Sequence, residues 1–168
     1  MATTIKQTFE PVVQTSLYPR SQIDVYVTVL QQDGGLLAAC INATTLALSA
    51  AGVPLTDLVC SISAGAHGPD PLLDLTTLEE NDVSHATVAS MPRSGKLSLV
   101  TMETRLYVDR FEEIFTLAGE AGKVVHKEMK QKIRDRARKL VDAMGAAGPS
   151  ALRAAAETRG YDDRMDVM

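Results

Sequence analysis

Residues 22–54, QIDVYVTVLQQDGGLLAACINATTLALSAAGVP, hold the reading on which the fold turns. Ile23, Val25, Val27 and Val29 alternate with Asp24, Tyr26 and Thr28. A period of two in β-branched residues predicts a half-buried strand. Asp33-Gly34-Gly35 breaks that pattern. From Leu36 to Ala51 the chain is almost uninterrupted in small and apolar residues, too long for a strand, and Gly52 and Pro54 close it. This predicts a buried helix with a glycine C-cap. Strand, Gly-Gly, helix is a geometry in which unpaired N–H groups at the helix start can face an anion. Taken alone the turn asks only for glycine conformations, and neither GxGxxG nor GxxxxGK[ST] accompanies it. The residues that would reach an anion there, Leu36 and Leu37, carry no hydrogen-bonding side chain.

Upstream, Ile5, Phe9, Val12 and Val13 suit one face of a helix over 3–16, although Pro11 removes a helix hydrogen bond. Downstream, Val59, Cys60 and Ile62 mark a central strand over 58–66, and the glycines and prolines of 65–71 mark a loop. The acidic stretch 74–82 ends in a short helical turn. Residues 86–91 and 97–102 form strands joined through Arg93-Ser94-Gly95-Lys96 as a hairpin. A long helix runs from Val108 to about Met144, with Asp109 as an N-terminal anion and basic residues crowding its far end. Gly119 and Gly122 cost helix stability and predict close packing on the sheet. Residues 145–168 lack a sustained apolar stripe and read as a flexible tail, leaving one domain over 1–144. The order predicts an α/β (α+β) sandwich, with helices packed on a mixed sheet. The first strand lacks an upstream partner, so the chain reads as the later part of a larger domain, or a partner chain supplies the missing layer.

Composition narrows the function. At 168 residues and 18.0 kDa, with 45% hydrophobic and 23% charged residues, the chain suits one globular domain rather than a disordered segment. No run of 18 apolar residues exists, and the N-terminus lacks the order of a secretory signal, so an intracellular protein without a membrane anchor is expected. Cys40 and Cys60 lack the His or Cys neighbours of a zinc site and read as buried thiols. With no Trp and 4% aromatics, stacking platforms for single-stranded nucleic acid are sparse. The net charge of −4 hides an asymmetry: between Lys123 and Lys139 eight basic residues face two acidic ones, a local +6 against −10 elsewhere. Such a stripe is either a solvated helix face or a dock for phosphates or an acidic partner. Asp74, Glu79, Glu80 and Asp82 form the one dense carboxylate cluster, able to hold Mg²⁺ or act as an acid/base pair, or simply to face solvent. His67, His85 and His126 are scattered without ligand spacing, and no GxSxG marks a nucleophile.

Several motifs in one order add a family resemblance: Leu17-Tyr18-Pro19-Arg20-Ser21-Gln22-Ile23-Asp24, then Val29-Leu30-Gln31-Gln32-Asp33-Gly34-Gly35, Ala39-Cys40-Ile41-Asn42-Ala43-Thr44-Thr45-Leu46-Ala47-Leu48, Ala51-Gly52-Val53-Pro54 and Asp74-Leu75-Thr76-Thr77-Leu78-Glu79-Glu80. In these the chain resembles the RNase PH family, and closely its members in the core of the eukaryotic RNA exosome, in looser form over roughly residues 3–142. The resemblance implies an RNase PH-like (ribosomal protein S5 domain 2-like) fold, incomplete at its N-terminus. Active members degrade RNA from its 3′ end with phosphate as nucleophile. They hold that phosphate by a hydroxyl residue and an arginine after the Gly-Gly, and a metal by two acidic residues six apart. Here those positions fall on Leu36 and Leu37, and on Glu80 and Ala86. Losing a guanidinium and a carboxylate removes a charge-assisted phosphate contact and a metal ligand. The resemblance thus implies a degenerate phosphate loop (Gly34, Gly35, Leu36, Leu37), a degenerate metal site, no catalytic residue, and neither metal nor cofactor. The implied role is that of a non-catalytic subunit supporting 3′-to-5′ RNA processing and decay by assembly and RNA channelling. Implied partners are other RNase PH-like subunits in a hexameric ring, cap subunits, a hydrolytic nuclease and RNA, with Lys6 and Arg20 as candidate phosphate contacts. The implied locations are nucleus, nucleolus and cytoplasm. One rival is an active phosphorolytic exoribonuclease completed by a partner chain. Another is a truncated product that neither assembles nor binds RNA.

Overall fold

A computed structural model describes residues 1–68, 70–102 and 108–146. Two compact units divide the chain, the first Met1–Lys130 and the second beginning at Gln131. Within the first unit α1 (Ala2–Phe9) and a 3₁₀ turn (Thr15–Leu17) precede α2 (Leu36–Ala50). Then follow β1 (Cys60–His67), β2 (Asp70–Leu73), α3 (Thr77–Asp82), β3 (Ser84–Met91) and β4 (Lys96–Met102). The last helix, α4 (Val108–Ala146), begins in the first unit and continues into the second.

The four strands lie in the order β2-β1-β3-β4 and every pairing is antiparallel, so the sheet is not the mixed one expected. Short turns join β1 to β2 and β3 to β4, which suits antiparallel pairing, while the chain passes from β1 to β3 by way of β2 and α3. Alternation along the strands divides the core in two. Val59 and Ala89 join Phe9, Val12, Ile41 and Leu48 on the face covered by α1 and α2. Ala64 and Val88 join Ile114 and Ala118 of α4 on the other. Gly122 of α4 packs so near that face that a Cβ there would stand 3.0 Å from Ser90 Oγ, the close approach expected of it, whereas a Cβ on Gly119 would meet nothing within 4 Å, against the same expectation.

The buried helix forms as the sequence implies. Gly52, at φ +75°, ends it: its N–H donates to the Ser49 carbonyl and that of Val53 to Leu48, a Schellman closure. α2 also completes the sheet. Residues 60–63 of β1 have no β2 partner on their outer side, because β2 pairs only with Ala64 to His67. The Asn42 amide fills that gap, donating to the Ser61 carbonyl and accepting its N–H, both at 2.8 Å. Thr45 Oγ1 donates to the Val59 carbonyl at 2.8 Å.

Three expectations are corrected. The first helix stops at Phe9 rather than 16, since Pro11 cannot supply the next N–H. Residues 65–71 are no loop: β1 runs to His67, turns at Gly68 and returns as β2. Residues 22–30 form no strand and join no ladder among the described residues. Their odd side chains, Ile23, Val25, Val27 and Val29, line an apolar cavity of about 640 Å³ with Ile5, Phe9 and Leu48, and all four are more than a third exposed. The pattern chose the face; a strand additionally needs a partner for its backbone. α4 runs to Ala146, two residues into the stretch expected to be a tail, and residues 147–168 lie outside those described. Asp109, expected as an N-terminal anion, falls in α4, with its side chain outside the description.

Candidate functional site

The site begins with two left-handed glycines. Gly34 has φ +89° and Gly35, the N-cap of α2, has φ +58°. Gly34 lies against the loop 74–77: a Cβ there would stand 2.0 Å from the Leu75 carbonyl oxygen and 2.9 Å from the Thr77 nitrogen. That loop is held in turn. Asp74, itself left-handed at φ +58°, donates its N–H to the Ser63 carbonyl at 2.9 Å, and Leu75 is buried. Thr76 caps α3 in a capping box with Glu79. The box directs Glu79 back onto Thr76, and the next carboxylate, Glu80, reaches the turn: Glu80 Oε1 accepts the Gly35 N–H at 2.9 Å.

This contact decides the site's electrostatics. The N-terminus of α2 carries the partial positive charge that favours an anion, and the chain supplies that anion from Glu80. A phosphate approaching the Gly35 N–H would have to displace a carboxylate and would be repelled by it. Leu37 cannot help, because its side chain packs against the cluster of Phe9, Val12, Ile41 and Leu48. Leu37, which the resemblance sets where active members carry an arginine, is a half-buried apolar side chain. Behind the turn, Ser63 is 2% exposed and its Oγ has no hydrogen-bond partner among the described residues. Its Cβ lies 3.9 Å from where a Gly35 Cβ would be.

Of the residues singled out in the sequence, Gly34, Gly35, Leu36, Leu37 and Glu80 therefore come together. Ala86 does not. It pairs with Ala64, 1% exposed, on the face that packs against α4. The residue of β3 on the side of the turn is His85, paired with Gly65; a Cβ on Gly65 would meet both His85 Cβ at 3.3 Å and Leu75 Cδ1. Strand alternation around 84–91 was the available signal, since a one-residue step reverses the face. His85 Nδ1 lies 3.2 Å from the Val83 carbonyl. Among the described residues no three His, Cys, Asp or Glu side chains converge as metal ligands. Of the two positions that the resemblance assigns to a metal-binding carboxylate pair, Glu80 accepts the Gly35 N–H and Ala86 carries no ligating atom.

Lys6 and Arg20 also lie apart from this group. Lys6 is exposed and borders the apolar cavity, whose walls include neither the glycine turn nor Glu80. Arg20 is exposed, with a left-handed backbone at φ +60°. The eight basic residues from Lys123 to Lys139 are all exposed, the solvated state that the charge pattern allows. The two cysteines are buried and unbridged. Burial, reinforced by the nearby Asp57 charge, pushes the Cys60 thiol up to about 12. No helix among the described residues is long and apolar enough to cross a membrane.

Comparison with known proteins identifies the family. Residues 1–54 match domain 1 of the RNase PH 3′ exoribonuclease family and residues 57–121 match its domain 2. The chain is 43% identical over 134 residues to the exosome complex component ski6 of Schizosaccharomyces pombe, covering 80% of this chain and 55% of that protein. It is 41% identical over 146 residues to the human exosome complex component RRP41, covering 86% and 60%. A crystal structure of rice Rrp46 superimposes with a TM-score of 0.67 at 25% identity, over 79% of this chain and 63% of that one. The chain thus spans between half and two thirds of the length of these relatives. With both family segments in order and the sandwich they predict, this chain belongs to the RNase PH family and is a homologue of the exosome components RRP41 and ski6.

Proposed function

We propose that the chain acts as a non-catalytic RNase PH-like subunit of an exosome ring, aiding 3′-to-5′ RNA processing through assembly and RNA channelling. The observation that carries this reading is the 2.9 Å bond from the Gly35 N–H to Glu80, which fills with a carboxylate the position a phosphate nucleophile would need. Leu37 turned into the core and Ala86 on the far face of the sheet support it. Phosphorolysis needs an in-line phosphate held by charge and a metal to neutralise the leaving group. Here both supports lack their side chains. Exosome membership draws on the named relatives, and with it come other RNase PH-like subunits as neighbours, RNA as cargo, and residence in nucleus, nucleolus and cytoplasm. RNA held this way would be gripped through its backbone, without sequence readout.

The experiment combines the chain with its RNase PH-like partner subunits, a 3′-tailed RNA, inorganic phosphate and Mg²⁺. Assembly without release of nucleoside diphosphates is the expected result. Release that Glu80→Ala abolishes would overturn the reading in favour of an active enzyme completed by its partners.

A further inference from the structure

A second cleft, of about 320 Å³, opens between the α2–β1 connection, the β3–β4 turn and the first-unit part of α4. None of the residues of the Gly34–Glu80 group lines it. One wall is apolar, made by Val53, Leu55 and Leu58; the other presents Arg93, His126 and Lys130. His126 Nδ1 is buried here and has no hydrogen-bond partner among the described residues. A buried imidazole nitrogen without a partner forgoes a bond that native interiors nearly always supply.

Asp57 also lines the cleft and is 7% exposed; backbone N–H groups fix its carboxylate in place, and its negative charge remains there beside the two cations. One oxygen accepts the Leu58 N–H at 2.8 Å and the other the Ser94 N–H at 2.9 Å. The second bond pins the hairpin turn that carries Arg93 to the cleft wall. Among the described residues no carboxylate lies within ion-pair distance of Arg93 or Lys130. The cleft therefore combines two cations without a carboxylate in ion-pair distance, one fixed carboxylate, an unmet ring nitrogen and an apolar wall, in a volume at the small end of ligand sites.

We propose that this cleft binds the phosphate group of a nucleotide or an RNA, with Arg93 and Lys130 as charge partners, His126 Nδ1–H as the inner donor, and the apolar wall against the attached sugar or base. Donors arriving from two elements, the β3–β4 turn and α4, can approach from two sides, which suits a tetrahedral oxyanion better than a planar carboxylate. Arg supplies a fork and Lys a point charge, the usual pair for phosphate. The proposal is independent of the non-catalytic reading, since no residue is shared.

The test uses the full chain with isotope-labelled histidine rings, titrated with inorganic phosphate, AMP, a short RNA with and without a 5′-phosphate, and glutamate as a carboxylate control. Saturable movement of the His126 ring signals with phosphate and AMP is expected, and glutamate should move them little. Arg93→Ala with Lys130→Ala should weaken the response about tenfold or more, the scale of losing charge-assisted bonds, while Arg93→Lys keeps most of it. Both cations are exposed, so the fold should tolerate these changes. If the unphosphorylated RNA moves His126 as the 5′-phosphorylated one does, the source is the RNA backbone; if it does not, the source is a terminal or free monophosphate. A silent His126, a response indifferent to the double variant, or an equal response to glutamate would overturn the proposal. Movement of the Gly35 amide in its place would do so too.

Discussion

At Gly34 and Gly35 the same residue type serves two different needs. A Cβ on Gly34 would overlap the Leu75 carbonyl, and its φ is left-handed as well; a Cβ on Gly35 would meet nothing closer than 3.6 Å. Gly34→Ala should therefore cost several kcal/mol, while Gly35→Ala should cost only the left-handed penalty of about 1–2 kcal/mol. Denaturant midpoints of the two variants compare them directly. Glu79 is fully exposed, and hydrogen bonds from the Thr76 backbone and then its hydroxyl hold its carboxyl below the usual range. A group with a depressed folded value stabilises above its unfolded pKa and loses that contribution as pH falls through the folded value. The α3 cap should thus weaken in acid, and Glu79→Gln should remove that part of the pH dependence from thermal melts. Cys60, its thiol pushed up to about 12, should resist alkylation at pH 8 until the chain unfolds. Mass spectrometry after timed iodoacetamide exposure would register it.

Single elements show which parts of the fold the sequence carries. α2 was legible because a long small-apolar run closed by Gly52 has few alternatives, and it formed within a residue of the expected bounds. β2 was not, because Asp70 and Pro71 read as breakers; it is an edge strand, where proline is tolerated. Alternation in 23–29 reported the face that lines the apolar cavity but not a strand partner, and Ala86 was assigned by spacing where strand alternation puts His85 on the side of the turn. Two predictions belong at this scale. Asn42→Ala strips Ser61 of both backbone partners and should cost about 1–3 kcal/mol, read from urea unfolding. The unpaired, apolar 23–29 stretch has the properties of an aggregation-prone edge. Placing Lys at Val25 and Val27 should raise the concentration at which the chain stays monodisperse in light scattering.

For the molecule as a whole, the fold sets the chain's own carboxylate against the glycine turn at the start of α2. Motif order identified the family, and the residue types at 36 and 37 led to the proposal that phosphate contacts are absent there. The Glu80 contact was illegible, because it joins residues 45 apart in the chain through a loop whose shape depends on Gly34 and Asp74. The central claim is that the α2 N-terminus is already occupied by the chain's own carboxylate. The most direct measurement follows the Gly35 amide signal of the full chain as inorganic phosphate is added, beside the Glu80→Gln variant. The account predicts no phosphate-dependent shift of that amide in the unaltered chain and a saturable shift once the charge is removed. A saturable shift in the unaltered chain would contradict it.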